Sequence, residues 1–209
     1  MRSLSIRNIY DKKYITMPFT GVWADAMGQP EHNGIWIIYG PEKNGKTWFA
    51  LQLANYLTAF DKVLYVSAEE GVSKAFRDAC GRVGIDAKNR KLSVLDYTPI
   101  AELDEKLSKR KAPRIVFLDN ATIYADELKG GMLRQLTAKH PTKLFVIVAH
   151  EERGEPYTAV AKIAKKLAKV IVRVKGLACT VWGRCPGGTI MIDENSATLY
   201  WGMQIASNT

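Results

Sequence analysis

Cysteine is scarce in this chain: Cys80, Cys179 and Cys185 are an odd number and show no C-x-x-C spacing. That excludes a disulfide framework, makes zinc ligation unexpected, and predicts reduced thiols in a cytoplasmic protein. Long apolar runs are missing as well. The longest, Leu144 to Ala149, is far short of the roughly 20 residues a membrane helix requires, so no membrane partner is expected. The first ten residues lack the apolar stretch of a secretory signal. No repeat, low-complexity tract or linker divides the sequence, and one domain over residues 1–209 is expected. Acidic residues are in the minority, 21 against 30 basic ones, which gives a net charge of +9 and favours a polyanionic partner such as nucleic acid. A hydrophobic content of 47% with 24% charged residues excludes disorder as the default state.

What is present is more specific. Gly40-Pro41-Glu42-Lys43-Asn44-Gly45-Lys46-Thr47 is a complete G-x-x-x-x-G-K-[ST] phosphate-binding loop, followed by Trp48. Before it, Gly34 to Tyr39 is a β-branched apolar run that reads as a buried strand. After it, Phe49, Leu51, Leu53, Ala54 and Leu57 recur at helical spacing. Strand, glycine loop and helix together supply converging backbone N–H groups and a helix N-terminus for phosphate oxygens. Lys46 then reaches the β- and γ-phosphates, and the Thr47 hydroxyl holds Mg²⁺. The expected ligand is a nucleoside triphosphate, ATP, with Mg²⁺ as cofactor. The N-K-x-D guanine motif and the L-S-G-G-Q signature are both absent, which disfavours a GTPase or a transporter subunit.

Strands and helices alternate along the rest of the chain. Strands are predicted at 62–67, 92–95, 114–118, 143–149 and 170–174, and helices at 72–83, 100–111, 127–139 and 157–169. Ala178 to Trp201 reads as β-hairpins at a sheet edge. The pattern implies an α/β, doubly wound, mainly parallel sheet. It has a lead-in over 1–33, a nucleotide-binding core over 34–176 and hairpins with a tail over 177–209. Gly40, Glu69, Asp119 and His150 all close strands, where such sheets bind ligands.

Arg114-Ile-Val-Phe-Leu-Asp119 has the form of a Walker B strand, whose carboxylate orients the Mg²⁺ shell. Together with the phosphate loop and Val63-Leu-Tyr-Val-Ser-Ala-Glu-Glu70, it makes the chain resemble the RecA-like P-loop ATPases. The second-strand motif is similar to that of the RadA and hexameric RepA-type helicase branches, and the compact size to phage recombination and annealing ATPases. The resemblance implies that Glu69 activates the attacking water, with Glu70 one place away as the alternative. It implies that His150, closing Phe145-Val-Ile-Val-Ala-His150, senses the γ-phosphate. In Val181-Trp-Gly-Arg-Cys-Pro-Gly-Gly-Thr-Ile-Met-Ile-Asp193, Arg184 resembles the basic residue that some relatives insert into a neighbour's ATP site. It further implies DNA-stimulated ATPase activity, a ring or filament of identical subunits, and single-stranded DNA as the favoured partner. The loop matching the family's DNA-binding loop is cut to about 151–158.

Two basic clusters could meet that DNA. Lys162, Lys165, Lys166 and Lys169 share one helix face opposite Val160, Ile163, Leu167 and Val170. The second cluster is Lys106, Lys109, Arg110, Lys111 and Arg114. Rival readings are a small-molecule P-loop kinase, for which no arginine-rich lid is evident, and an ATP-gated adaptor that hydrolyses little. The adaptor draws on Asn120, which stands where relatives often carry Ser or Thr.

Overall fold

Residues 3–207 are described by the structure, a computed structural model. Among them, nine strands form the sheet: β1 (Gly34–Gly40), β2 (Val63–Ser67), β3 (Leu92–Asp96), β4 (Ile115–Asp119), β5 (Leu144–Glu152), β6 (Glu155–Pro156), β7 (Val170–Lys175), β8 (Ala178–Gly183) and β9 (Gly188–Met191). The spatial order is β3-β2-β4-β5-β1-β7-β8-β9, with β6 folded back on the end of β5. The first six strands in that order are parallel, and β8 and β9 extend the sheet as antiparallel neighbours.

The unbroken apolar runs of β1, β2, β4 and β5 follow from burial on both faces. Trp36 and Ile38 of β1 point to one layer, with Phe49 and Leu53 of α3 (Lys46–Leu57) and Phe76 of α4 (Lys74–Val83). Ile35, Ile37 and Tyr39 point to the other, among Leu103 of α5 (Ile100–Ser108), Leu133 of α6 (Met132–Lys139) and Val160 of α7 (Ala159–Leu167). Period-two alternation thus sorts one strand's side chains into two cores. Register aligns the carboxyl ends: Gly40 pairs with His150, and Ser67 with Asp119.

The structure fills in the lead-in and corrects several local expectations. The lead-in carries α1 (Ile6–Tyr10) and α2 (Gly21–Met27), and its Met17, Phe19 and Met27 belong to the first core. The helix expected from residue 127 starts at Met132, because Gly130 and Gly131 both have positive φ, 62° and 93°, and interrupt the run. The tail is hairpin only through β9; α8 (Glu194–Ser207) follows. Asp193 explains that switch, since its carboxylate accepts from the Ser196 N–H at 2.8 Å and caps the start of the helix. The buried stripe of α7 is Val160, Ala161 and Ala164. Its lysines are not one free face: Lys165 pairs with Glu155 at 2.8 Å, and Lys169, beyond the helix, pairs with Glu31 and Asn33.

Candidate active site

The phosphate loop is shaped by what presses on it. A Cβ at Gly40 would lie 2.0 Å from the Val174 carbonyl oxygen, so only glycine lets β1 end against β7. Gly45 has φ 99°, and a Cβ there would sit 2.6 Å from Leu177 Cδ2. Asn44 pins the loop from outside: its Oδ1 accepts from the Gly176 N–H at 2.8 Å, and its Nδ2 donates to the Glu42 carbonyl at 2.7 Å. Gly45 is also the N-cap of α3 and offers no side-chain cap, so the first-turn N–H groups are free to meet an anion. Glycines held by steric pressure and uncapped donors at a helix start fit a polyphosphate.

A cleft of about 630 Å³ opens beside this loop. Of the residues singled out in the sequence, Glu42, Lys43, Gly45, Lys46, Thr47, Trp48, Glu69, Asp119 and His150 line it, as does Glu70. Gly40, Pro41 and Asn44 form the frame behind them. Lys46 Nζ donates to the Pro41 carbonyl at 2.7 Å. Burial lowers its pKa, and the carboxylates of Asp119 and Glu69 act against that shift.

Asp119 is 6% exposed at the end of β4, and its Oδ2 accepts from the Tyr65 hydroxyl at 2.5 Å. Burial pushes its pKa up to about 6; the Tyr65 hydrogen bond pulls the other way, and Glu69 and Glu70 push up again. The Thr47 hydroxyl and the Asp119 carboxylate are the oxygen donors a Mg²⁺ ion takes. Among the described residues no cluster of three or more His, Cys, Asp or Glu side chains could hold a metal. A site built from one carboxylate, one hydroxyl and substrate phosphates suits Mg²⁺ rather than zinc.

Glu69 is held from both sides. Its Oε2 accepts from Asn120 Nδ2 at 2.8 Å, and its Oε1 lies 3.3 Å from His150 Nε2. Backbone bonds from the Ala68 and Glu69 N–H groups to the Asp119 carbonyl, at 2.6 and 3.3 Å, lock the end of β2 to the end of β4. His150 Nδ1 is buried without a partner. The glutamate and the histidine, read in the sequence as separate functions, form one hydrogen-bonded unit.

Arg184 stands apart. It is exposed in the turn between β8 and β9, and its N–H donates to the Lys169 carbonyl at 2.7 Å. Since Gly183 pairs with Val170, Arg184 lies at the amino ends of the parallel strands, the far side of the sheet from the cleft.

Sequence reasoning passed over Tyr65, Arg82, Leu177 and the contact role of Asn120. Arg82 lies 5.2 Å from the Trp48 ring at the α4 side of the cleft. Asn120 could have been found by adjacency to Asp119. Nothing local marks Tyr65, one aromatic among the strand's core residues, or Leu177, which arrives through long-range pairing.

The same architecture occurs in solved structures. The flagellar accessory protein FlaH from Methanocaldococcus jannaschii matches with a TM-score of 0.59 at 17% identity, over 84% of this chain and 91% of that one. The KaiC-like protein PH0186 from Pyrococcus horikoshii OT3 matches with a TM-score of 0.61 at 14% identity, over 86% and 92%. No protein-family model matches the sequence, and no curated protein does. These neighbours do not support the phage recombination branch that the motifs suggested. They share with this chain its mainly parallel sheet and flanking helices, and that shared architecture is the RecA-like P-loop fold.

Proposed function

We propose that this protein binds ATP with Mg²⁺ and hydrolyses it, with Glu69 as the base that polarises the attacking water. One observation carries the reading: Glu69 is clamped between Asn120 and His150 in the cleft that also holds Lys46, Thr47 and Asp119. A carboxylate so oriented, next to the γ-phosphate position of a phosphate loop, suits in-line attack by water. A bound Mg²⁺ would neutralise charge on the β- and γ-phosphates. Lys46 adds a second positive charge, and the α3 N-terminus a partial one. Asn120, which in the sequence left room for a non-hydrolysing adaptor, supports hydrolysis here because it donates to Glu69.

DNA is the proposed partner, on the strength of the net charge of +9. His150 links Glu69 to the β5–β6 hairpin and is the proposed route from partner to turnover. In its own chain Arg184 lies at the wrong end of the sheet, so service to ATP chemistry comes from a neighbouring subunit of a homo-oligomer. The test is ATP turnover with and without DNA, on protein whose mass in solution is measured alongside. Mixing Lys46→Ala with Arg184→Ala subunits should restore activity, because the first can donate Arg184 to an intact site on the second. A monomer with full turnover in Arg184→Ala excludes the shared site.

A further inference from the structure

The amino ends of the strands carry a pattern that the ATP chemistry does not use. The register places Val63 opposite both Leu92 and Ile115, and Ile115 opposite Leu144. One step earlier, the four neighbouring strands are preceded by Lys91, Lys62, Arg114 and Lys143, in that spatial order. Backbone bonds stitch the row together: the Lys91 carbonyl accepts from Val63, the Lys62 carbonyl from Ile115, and the Arg114 carbonyl from Leu144. Four adjacent parallel strands therefore all begin behind a cation. At about 4.8 Å per strand the row is roughly 14 Å wide.

The surrounding loops extend it. Lys109, Arg110 and Lys111 lie on the turn into β4, and Lys88 and Arg90 on the turn into β3, all exposed. Arg114 is matched by Asp61, and Lys143 is buried and donates to the Pro113 carbonyl, so the free charge of the row lies at Lys62 and Lys91 and on these two turns. The ion pairs found among the described residues involve none of Lys62, Lys88, Arg90, Lys91, Lys109, Arg110 or Lys111. The C-terminal dipole of α5 accounts for cations near residue 109 but not for Lys62 or Lys91, which begin strands.

We infer that this amino-end plate is the nucleic-acid surface of the protein, and that it takes the phosphate backbone of a duplex. This rests on the reading of DNA as partner, and adds where and in which form. The free cations span the starts of β3, β2 and β4, about 10 Å, which is on the scale of a duplex groove with its two phosphate walls. The exposed large hydrophobic side chains among the described residues lie on other segments, so the plate lacks both the aromatic platforms of single-strand binders and the apolar wedge of membrane-surface helices. Contacts to phosphate alone make binding independent of base sequence.

The test uses the full chain carrying Lys62→Gln, Lys91→Gln, Arg110→Gln and Lys111→Gln, with a fluorescent 24-base-pair duplex titrated at several salt concentrations (the probe length being about 24 pairs, enough to overhang the plate). Two to four lost contacts should lower the log–log salt slope by roughly 1.8 to 3.6 and weaken binding at least about tenfold at 0.1 M salt. Two unrelated duplexes should respond alike, and binding of a fluorescent ATP analogue should stay unchanged. If the quadruple variant does not fold, the double variants Lys62/Lys91 and Arg110/Lys111 give the same reading in halves. An unchanged slope overturns the plate while leaving DNA as partner. So does a slope lost instead in Lys162→Gln/Lys166→Gln on α7. A wild-type protein that binds only single strands overturns the duplex assignment. One that binds phosphatidylserine vesicles and no nucleic acid overturns both this inference and the DNA reading, and loss of ATP-analogue binding in the double variants as well would overturn the plate as a surface separate from the cleft.

Discussion

The two ends of the same parallel strands are built on opposite electrostatic plans. At the carboxyl ends, Lys46, Glu69, Asp119 and His150 converge on one cleft, and each is hydrogen-bonded to a neighbour that fixes its direction. At the amino ends, Lys62, Lys91, Arg110 and Lys111 point into solvent, without carboxylate partners among the described residues. Converging groups stabilise a small, localised charge as it develops, which chemistry requires. Spread cations create a field over a surface and lose it to salt, which suits a polymer of phosphates. Substitutions at one end should therefore leave the other end's function intact.

The largest effects are expected at the cleft. Lys46→Ala should abolish ATP turnover by removing positive charge from the β/γ-phosphate site. Glu69→Gln should keep ATP bound and slow hydrolysis by roughly 10²–10⁴, the worth of a positioned base. Single-turnover kinetics with labelled ATP separates binding from chemistry. A normal rate in Glu69→Gln with a dead Glu70→Gln would move the role by one residue, and normal rates in both would leave an ATP-gated adaptor. Duplex binding should survive in either variant, and its loss would break the separation of the two ends.

The residues that hold Glu69 should matter less. Asn120→Ala should lower the rate of hydrolysis by about tenfold with little change in ATP affinity, since it removes one charge-assisted hydrogen bond and leaves the base in place. His150→Ala should bind ATP and lose stimulation by DNA, because His150 is the proposed link from Glu69 to the β5–β6 hairpin. Equal stimulation in mutant and wild type would remove that link.

Burial at the cleft also sets a pH dependence. Asp119 titrates near 6 in the folded protein, against 3.8 as its ordinary value. The folded state thus binds the proton more tightly than the unfolded state, and stability should fall as pH rises from about 4 to about 6. Above that window the ionised, buried carboxylate disfavours the folded state by about 3 kcal/mol at most, from the constant of 1.36 kcal/mol per unit. Asp119→Asn should flatten this part of the profile, measured by urea unfolding with divalent cations chelated. Tyr65→Phe should extend the fall to higher pH, because the Tyr65 hydroxyl stabilises the ionised form. An Asp119→Asn profile parallel to wild type would show that other groups govern that window.

The cleft was largely legible in the sequence because its signals are local. Eight contiguous residues define the phosphate loop, and Asp119 and His150 close apolar runs that could only be buried strands. The doubly wound class followed from the alternation of such runs with helical periods. Long-range consequences were not legible. Asn44 meets Gly176 only because β7 lies beside β1, and Lys62, Lys91, Arg114 and Lys143 align only once the strand order is known. Local chemistry misled where Gly130 and Gly131 hid inside a helical pattern, and the cap formed by Asp193 went unread in a tail expected as hairpins. The α7 lysines formed a stripe in projection, but Glu155, Glu31 and Asn33, which occupy two of them, come from other parts of the chain.

The smallest effect sharpens the comparison most, because it contrasts two lysines at the same end of the sheet. Lys169 stands just before β7 and binds the Asn33 side chain at 2.5 Å and the Glu31 carboxylate, tying the lead-in to the core. It is about a quarter exposed, so solvent screens the pair and its loss should be modest. Lys169→Gln should lower stability by about 0.5–1 kcal/mol, as partly exposed ion pairs do, and leave the salt slope of duplex binding unchanged. Lys62→Gln should leave stability unchanged and lower that slope by roughly 0.9, one counterion-releasing contact. The two residues carry equal charge, and what separates them is whether a carboxylate of the same chain already holds it. Paired urea-unfolding and salt-titration measurements on both variants decide the matter. If Lys169→Gln lowers the slope as much as Lys62→Gln does, net charge alone would account for binding, and the plate would have no defined edge.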